Sequence, residues 1–253
     1  AYEICACRVG SEMCIRDSIT AVKGGTYDKK TGIARYSAAV EKPSYTYATG
    51  SNAVSLTVEF TLDMSKLPKS PFTDVTAGAW YYDAALYAYN KGLMVGTSDT
   101  AFGPDVSMTR AMLVAVLHRL AGSPSVSGKM PFTDVEADTW YTEAVLWAYQ
   151  NGIVAGTSDT TFAPQSNITR EQIVAIFSRY TAKFAPDKAK AAAELTAFAD
   201  SASVSDWAVN DMKWAVAQKI ISGSENAGKF YLLPQDNASR AQVATILMQY
   251  CAL

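Results

Sequence analysis

The chain of 253 residues contains one histidine, His118. A metal site built on paired histidines is therefore excluded, and no Gly-x-Ser-x-Gly elbow or glycine-rich phosphate loop is present. His118 itself reads as a partly exposed helix residue. No stretch of about 18 apolar residues occurs, which excludes a membrane-spanning helix. Cysteine is absent between Cys14 and Cys251, so the body is not a disulfide scaffold. Cys5, Cys7 and Cys14 lack a fourth ligand and the paired spacing of a zinc site. Charge is sparse and nearly balanced, with a net of −2, so there is no basic footprint for nucleic acid. Up to Ser70 the balance is +2 and from Pro71 onward it is −4. Any anionic partner of the second part must be held by local geometry, because the overall field opposes it.

The first residues read as foreign. Ser11–Ser18, SEMCIRDS, resembles the translation of a sequencing adapter, so residues 1–18 read as a non-native segment, as an engineered scar would. No apolar leader core stands at the start, so we read the chain as a fragment whose own N-terminus is missing.

What the chain does have is repetition. Phe72-Thr-Asp-Val75 recurs as Phe132-Thr-Asp-Val135 and, more weakly, as Phe198-Ala-Asp200. Trp80, Trp140 and Trp207 form a second series, Gly96, Gly156 and Gly223 a third. Thr109-Arg110, Thr169-Arg170 and Ser239-Arg240 form a fourth. The first two copies are offset by 60 residues, and the third drifts from 66 to 70, as loop insertions would cause.

Each copy reads as helix, glycine-rich turn, helix. Trp140, Ala144, Val145 and Ala148 share one face of the first helix, a spacing that places the three tryptophans in the core. Gly92 and Gly152 stop that helix, whereas Lys219 stands in the third copy. Leu113, Val116, Leu117 and Leu120 give the second helix an apolar face. Ile173, Ile176, Phe177 and Tyr180 repeat it, as do Val243, Ile246, Leu247 and Tyr250. The Gly-Thr-Ser-Asp-Thr stretches at 96–100 and 156–160 are turns around Phe102 and Phe162, without the alternating carboxylates of a calcium loop. No copy can bury enough surface alone, so the three must pack together.

The resulting organisation is a non-native segment at 1–18, a β-rich module at 19–70, repeats at 71–122 and 131–182, a helical linker at 183–196 and a third repeat at 197–251. Ser55–Leu62 alternates polar and apolar residues and predicts a strand. A truncated immunoglobulin-like module is one form the β-rich part could take.

Thr109, Thr169 and Ser239 suit the N-cap of the second helix. Gln172 and Gln242 complete a capping box that Met112 cannot. Arg110, Arg170 and Arg240 then fall at the first helical position, where the helix dipole disfavours a cation by about 0.3–1 kcal/mol. A preference broken three times implies that something needs the charge. One reading is an anion receptor, for which the planar guanidinium is suited. The other pairs each arginine with a structural carboxylate, Asp74, Asp134 or Asp200.

Phe-x-Asp-Val, Trp, Gly and then Thr-Arg, in three tandem copies over about 72–251, resemble the S-layer homology family. The resemblance implies a mainly α, pseudo-threefold bundle on proteins secreted to the wall and surface of Gram-positive-type bacteria. It implies grooves between repeats that bind secondary cell-wall polysaccharide, often through a pyruvate ketal. Carried over by position, Arg110, Arg170 and Arg240 would hold the ketal carboxylate, and alanines there would free the protein from the wall without unfolding it. Asp74, Asp134 and Asp200 would accept sugar hydroxyls or orient the groove, and Trp80, Trp140 and Trp207 would wall it. Thr109, Thr169, Ser239, Gly96, Gly156 and Gly223 complete the set. The family's Thr-Arg-Ala-Glu stands here as Thr-Arg-Ala-Met, Thr-Arg-Glu-Gln and Ser-Arg-Ala-Gln. The expected function is non-catalytic anchoring to an anionic polysaccharide, with no cofactor, metal, nucleic acid or membrane insertion. The alternative is a module that packs against other surface-layer subunits.

Overall fold

The structure is a computed structural model that describes residues 70–253 in full and, before them, the backbone of six strands. These are β1 (Tyr2–Cys5), β2 (Ile19–Lys23), β3 (Gly25–Asp28), β4 (Ile33–Tyr36), β5 (Ser44–Thr49) and β6 (Val54–Glu59). Then come α1 (Tyr82–Asn90), α2 (Arg110–Leu120), α3 (Thr142–Gln150), α4 (Arg170–Phe184) and α5 (Val209–Ala217). A short hairpin of β7 (Ser224–Asn226) and β8 (Lys229–Tyr231) precedes α6 (Arg240–Cys251). The adapter-like stretch Ser11–Ser18, with Cys7 and Cys14, lies outside the described residues. The chain divides into two compact units, Ala1–Leu86 with Ser98–Phe102, and Tyr87–Thr97 with Gly103–Leu253.

The first unit holds two three-stranded antiparallel sheets, ordered β1-β4-β3 and β2-β5-β6. The strand expected at Ser55–Leu62 is β6, paired with β5 from Thr49↔Val54 to Ser44↔Glu59. In the same unit Asp74 Oδ1 accepts the Phe102 amide at 2.8 Å, and the Phe72 and Phe102 rings lie 5.6 Å apart.

The second unit is helical. α2 packs on α3 and α4 on α5, each burying the face that its apolar spacing marks. Ala144, Val145 and Ala148 of α3 are buried, as are Ile173, Ile176, Phe177 and Tyr180 of α4. Just before the second helices the backbone closes a ring. The Met108 amide donates to the Ala238 carbonyl at 2.8 Å, Ala238 to Ile168 at 3.1 Å, and Ile168 back to Met108 at 2.9 Å. Each repeat supplies one member, so each carries an amide and a carbonyl that only its neighbours satisfy.

Local chemistry explains the ends of these helices. Thr169 and Ser239 form the expected capping boxes with Gln172 and Gln242; Thr109 accepts the Met112 amide without the return bond. Lys219 adopts the left-handed conformation of Gly92 and Gly152, with φ values of 59°, 67° and 68°, so the first helix ends alike in all three copies. The β7–β8 hairpin replaces the tight turn of the earlier copies and accounts for most of the register drift. Of the linker expected to be helical, α4 extends to Phe184 and a 3-10 turn follows at Pro186–Lys190. Proline stops the α-helix there. Beyond it Ala191 is extended and the Ala193 amide bonds to the Lys213 carbonyl.

His118 differs from its expected exposure. It is buried, its Nε2 sits 2.9 Å from the Pro124 carbonyl oxygen, and its ring lies 5.2 Å from that of Trp147. Trp147 also stacks on Phe184, so the His118 ring belongs to an aromatic cluster.

Candidate functional site

The three arginines are nearly sequestered, with exposures of 9% for Arg110, 6% for Arg170 and 5% for Arg240. Their place at the first helical position directs each into the neighbouring repeat. Arg110 Nε donates to the Phe162 carbonyl at 2.9 Å and its Nη2 to Ala155 at 3.1 Å, with the guanidinium 4.7 Å from the Phe162 ring centre. Arg170 Nε donates to the Leu232 carbonyl at 2.7 Å, and Arg240 Nη2 donates to that of Val95. The partners of Arg110 and Arg170 are carbonyls, not the carboxylates of the ion-pair reading. The arginines thus staple repeats together, and a fold indifferent to their loss is not what this geometry supports. These carbonyls accept from the guanidiniums but leave the positive charge in place. Burial pushes the Arg110 pKa down, Asp134 opposes this, and Arg179 adds to it; burial likewise lowers Arg170, against the pull of Asp236 and Asp200.

The aspartates hold loops. Asp134 accepts the amides of Phe162 and Ala163 at 2.8 and 2.7 Å, and Asp200 those of Leu232 and Leu233 at 2.8 and 2.7 Å. Ala163 and Leu233 have φ values of 58° and 52°, an unfavourable conformation that the paired carboxylate bonds hold in place. Each aspartate thereby fixes the carbonyl one residue earlier, on Phe162 or Leu232, that receives an arginine.

The tryptophans do not lie in the core, as helical spacing had placed them. Each sits in the turn just before the first helix, and Trp80, Trp140 and Trp207 are 60%, 57% and 54% exposed. Two of them wall clefts. The larger, of 470 Å³, collects Arg110 from the first repeat, Gly156 and Thr157 from the second and Trp207 from the third. The smaller, of 340 Å³, collects Arg240, Gly96 and Thr97, and Trp140 in the same cyclic order. Both have the size of a small-ligand pocket. At Gly156 a Cβ would stand 2.2 Å from the Ser158 carbonyl oxygen, so the turn forming this wall requires glycine. Thr109, Thr169 and Ser239 cap their helices and are absent from both linings.

Sequence reasoning overlooked one face of the second helix. Gln172, Ala175, Ile176 and Arg179 line the larger cleft; Met112, Val116 and Arg119 line the smaller. The signal was available, because Arg119 and Arg179 both follow their helix-start arginines by nine residues. That register lies beside the apolar stripe, where it reads as ordinary solvent-facing charge. Among the described residues no helix is long and apolar enough to cross a membrane.

Known proteins share this pattern. The profile of the S-layer homology domain matches residues 71–111, 131–174 and 197–244, more than half of the chain. An endoglucanase of Bacillus sp. (strain KSM-635) is 31% identical over 183 residues, which is 72% of this chain and 19% of that protein. The surface-layer 125 kDa protein of Lysinibacillus sphaericus is 32% identical over 159 residues, 62% of this chain and 13% of its own length. An amylopullulanase of Thermoanaerobacterium thermosulfurigenes is 31% identical over 168 residues, 66% of this chain and 9% of its length. The chain therefore spans less than a fifth of each of these curated relatives. S-layer homology domains are non-catalytic modules that anchor secreted proteins at the cell surface. With three tandem matches and the helix-turn-helix repeats they predict, this chain belongs to the S-layer homology domain family.

Proposed function

We propose that the chain holds a secreted protein to the bacterial wall without a covalent bond, by binding pyruvylated secondary cell-wall polysaccharide in the clefts between repeats. The observation that carries this reading is the meeting of Arg110, Thr157 and Trp207 in one cleft, one residue from each repeat. A buried cation without a carboxylate bond, a hydroxyl-bearing turn and an exposed indole are what an acidic sugar requires: charge, polar contacts and an apolar wall. The closed backbone ring around Met108, Ile168 and Ala238 supports a pseudo-threefold order of the second helices. One charge-assisted contact contributes about 1.5–3 kcal/mol, so a single cleft binds weakly. Two clefts on a polymer with many ends gain by effective concentration.

The test is co-sedimentation with purified wall sacculi in three forms: intact, stripped to peptidoglycan, and depyruvylated. Retention on intact walls, loss on stripped walls and weakening on depyruvylated walls are expected. Equal retention on bare peptidoglycan overturns the reading.

A further inference from the structure

We infer that Arg179 is a second ligand-holding residue of the larger cleft, and that this cleft is the chain's principal site for a carboxylate-bearing sugar. The inference rests on the wall-glycan reading above and adds to it a residue and an order among the clefts.

Gln172, Ala175, Ile176 and Arg179 follow one another at spacings that place them on a single face of α4, and all four line this cleft. Arg110 enters the same cleft from the preceding repeat. Its Nε and Nη2 are occupied by carbonyls. Arg179 is exposed and donates no hydrogen bond to any described residue. The two guanidiniums repel, for Arg179 lowers the proton affinity of Arg110 beyond what burial does. Asp134 opposes this from a distance, but both its oxygens are engaged by the Phe162 and Ala163 amides. No carboxylate lines the cleft among the described residues. Two cations facing one space without an anion between them gain most from a ligand that supplies one. A carboxylate has two oxygens to offer, and each guanidinium can meet one of them in its own plane.

The other repeats are poorer in this respect. In the smaller cleft Arg119 has the matching register, but its Nη1 is bound to the Leu93 carbonyl at 3.1 Å. Met94, Met108 and Met112 make that lining more apolar, with Met112 where the larger cleft has Gln172. On α6 the register is held by Gln249, which carries no charge. The supply of unengaged cation therefore falls from α4 to α2 to α6.

The experiment titrates the whole chain with a methyl glycoside bearing a cyclic pyruvate ketal. The neutral ethylidene ketal is titrated in parallel, and the methyl resonances of Ile176 and Met112 are followed by NMR. Ile176 should respond first, and to the acid alone. Arg179→Gln should raise the dissociation constant about tenfold, with partial recovery in Arg179→Lys, because lysine keeps the charge but not the fork. Arg179 is exposed, so an unchanged melting temperature is expected in both variants. Unaltered affinity in Arg179→Gln, or Met112 responding before Ile176, overturns the inference while wall retention persists. If wild type binds neither acid probe nor intact wall, the wall-glycan reading and the inference fall together.

Discussion

Arg170 Nε donates to the carbonyl oxygen of Leu232 at 2.7 Å, joining residues 62 positions apart. The Arg170 backbone amide reaches into the same repeat, to the Asp236 carbonyl at 3.0 Å. A side chain that breaks the dipole preference of its own helix is therefore part of the fastening between repeats. Its charge stays available to the surroundings because its hydrogen-bonding partner is neutral.

Replacing Arg170 by alanine should cost about 2–3 kcal/mol, the scale of a hydrogen bond to a charged group whose loss leaves a buried carbonyl without a donor. Arg170→Lys should recover little of this, since a point charge cannot reproduce the position of Nε. Urea denaturation of the two variants checks both statements. A loss below about 0.5 kcal/mol in Arg170→Ala would remove the staple role.

Trp207→Ala should leave stability within about 0.5 kcal/mol of wild type, because the side chain is 54% exposed. Retention on intact walls should nevertheless fall, since the larger cleft loses its apolar wall. Melting temperature and sacculus co-sedimentation on one preparation separate the two effects. Loss of stability with unchanged retention would make Trp207 a folding residue.

Lys219 holds φ at 59°, a conformation that costs an L-residue about 1–2 kcal/mol and glycine almost nothing. Lys219→Gly should thus stabilise the chain, by about 0.5–1 kcal/mol once the greater freedom of glycine in the unfolded chain is subtracted. The same change at Lys213, inside α5, should destabilise it by a similar amount. Thermal denaturation of both variants makes the comparison.

Burial, with Tyr250 and Cys251 nearby, pushes the Tyr180 phenol from 10.0 up to about 12. The folded state then holds its proton more tightly than the unfolded state. Stability from this group is complete below pH 10 and is lost as pH rises towards about 12. Tyr180→Phe should flatten that alkaline limb, which denaturation measured across this range detects. An equally steep fall in the variant would assign the limb to other groups.

Legibility differed from residue to residue. The apolar face of α4 and the capping boxes at Thr169 and Ser239 could be read directly, because both depend on contacts within one helical turn. Trp140 was misread as core, since it stands two residues ahead of α3, where helical spacing no longer governs direction. Arg179 was passed over because nothing local distinguishes it from any solvent-facing charge.

The sequence by itself determined the helices and their caps, which arise from short-range spacing, and the repeat, whose recurring motifs carried the resemblance to the family. Tertiary structure alone decided that Arg110 meets Ala155, that Trp207 closes a cleft begun by the first two repeats, and that Asp134 serves a loop. The physical reason is cyclic order: each cleft draws on all three repeats, and no periodicity along one chain states which neighbour a side chain will meet.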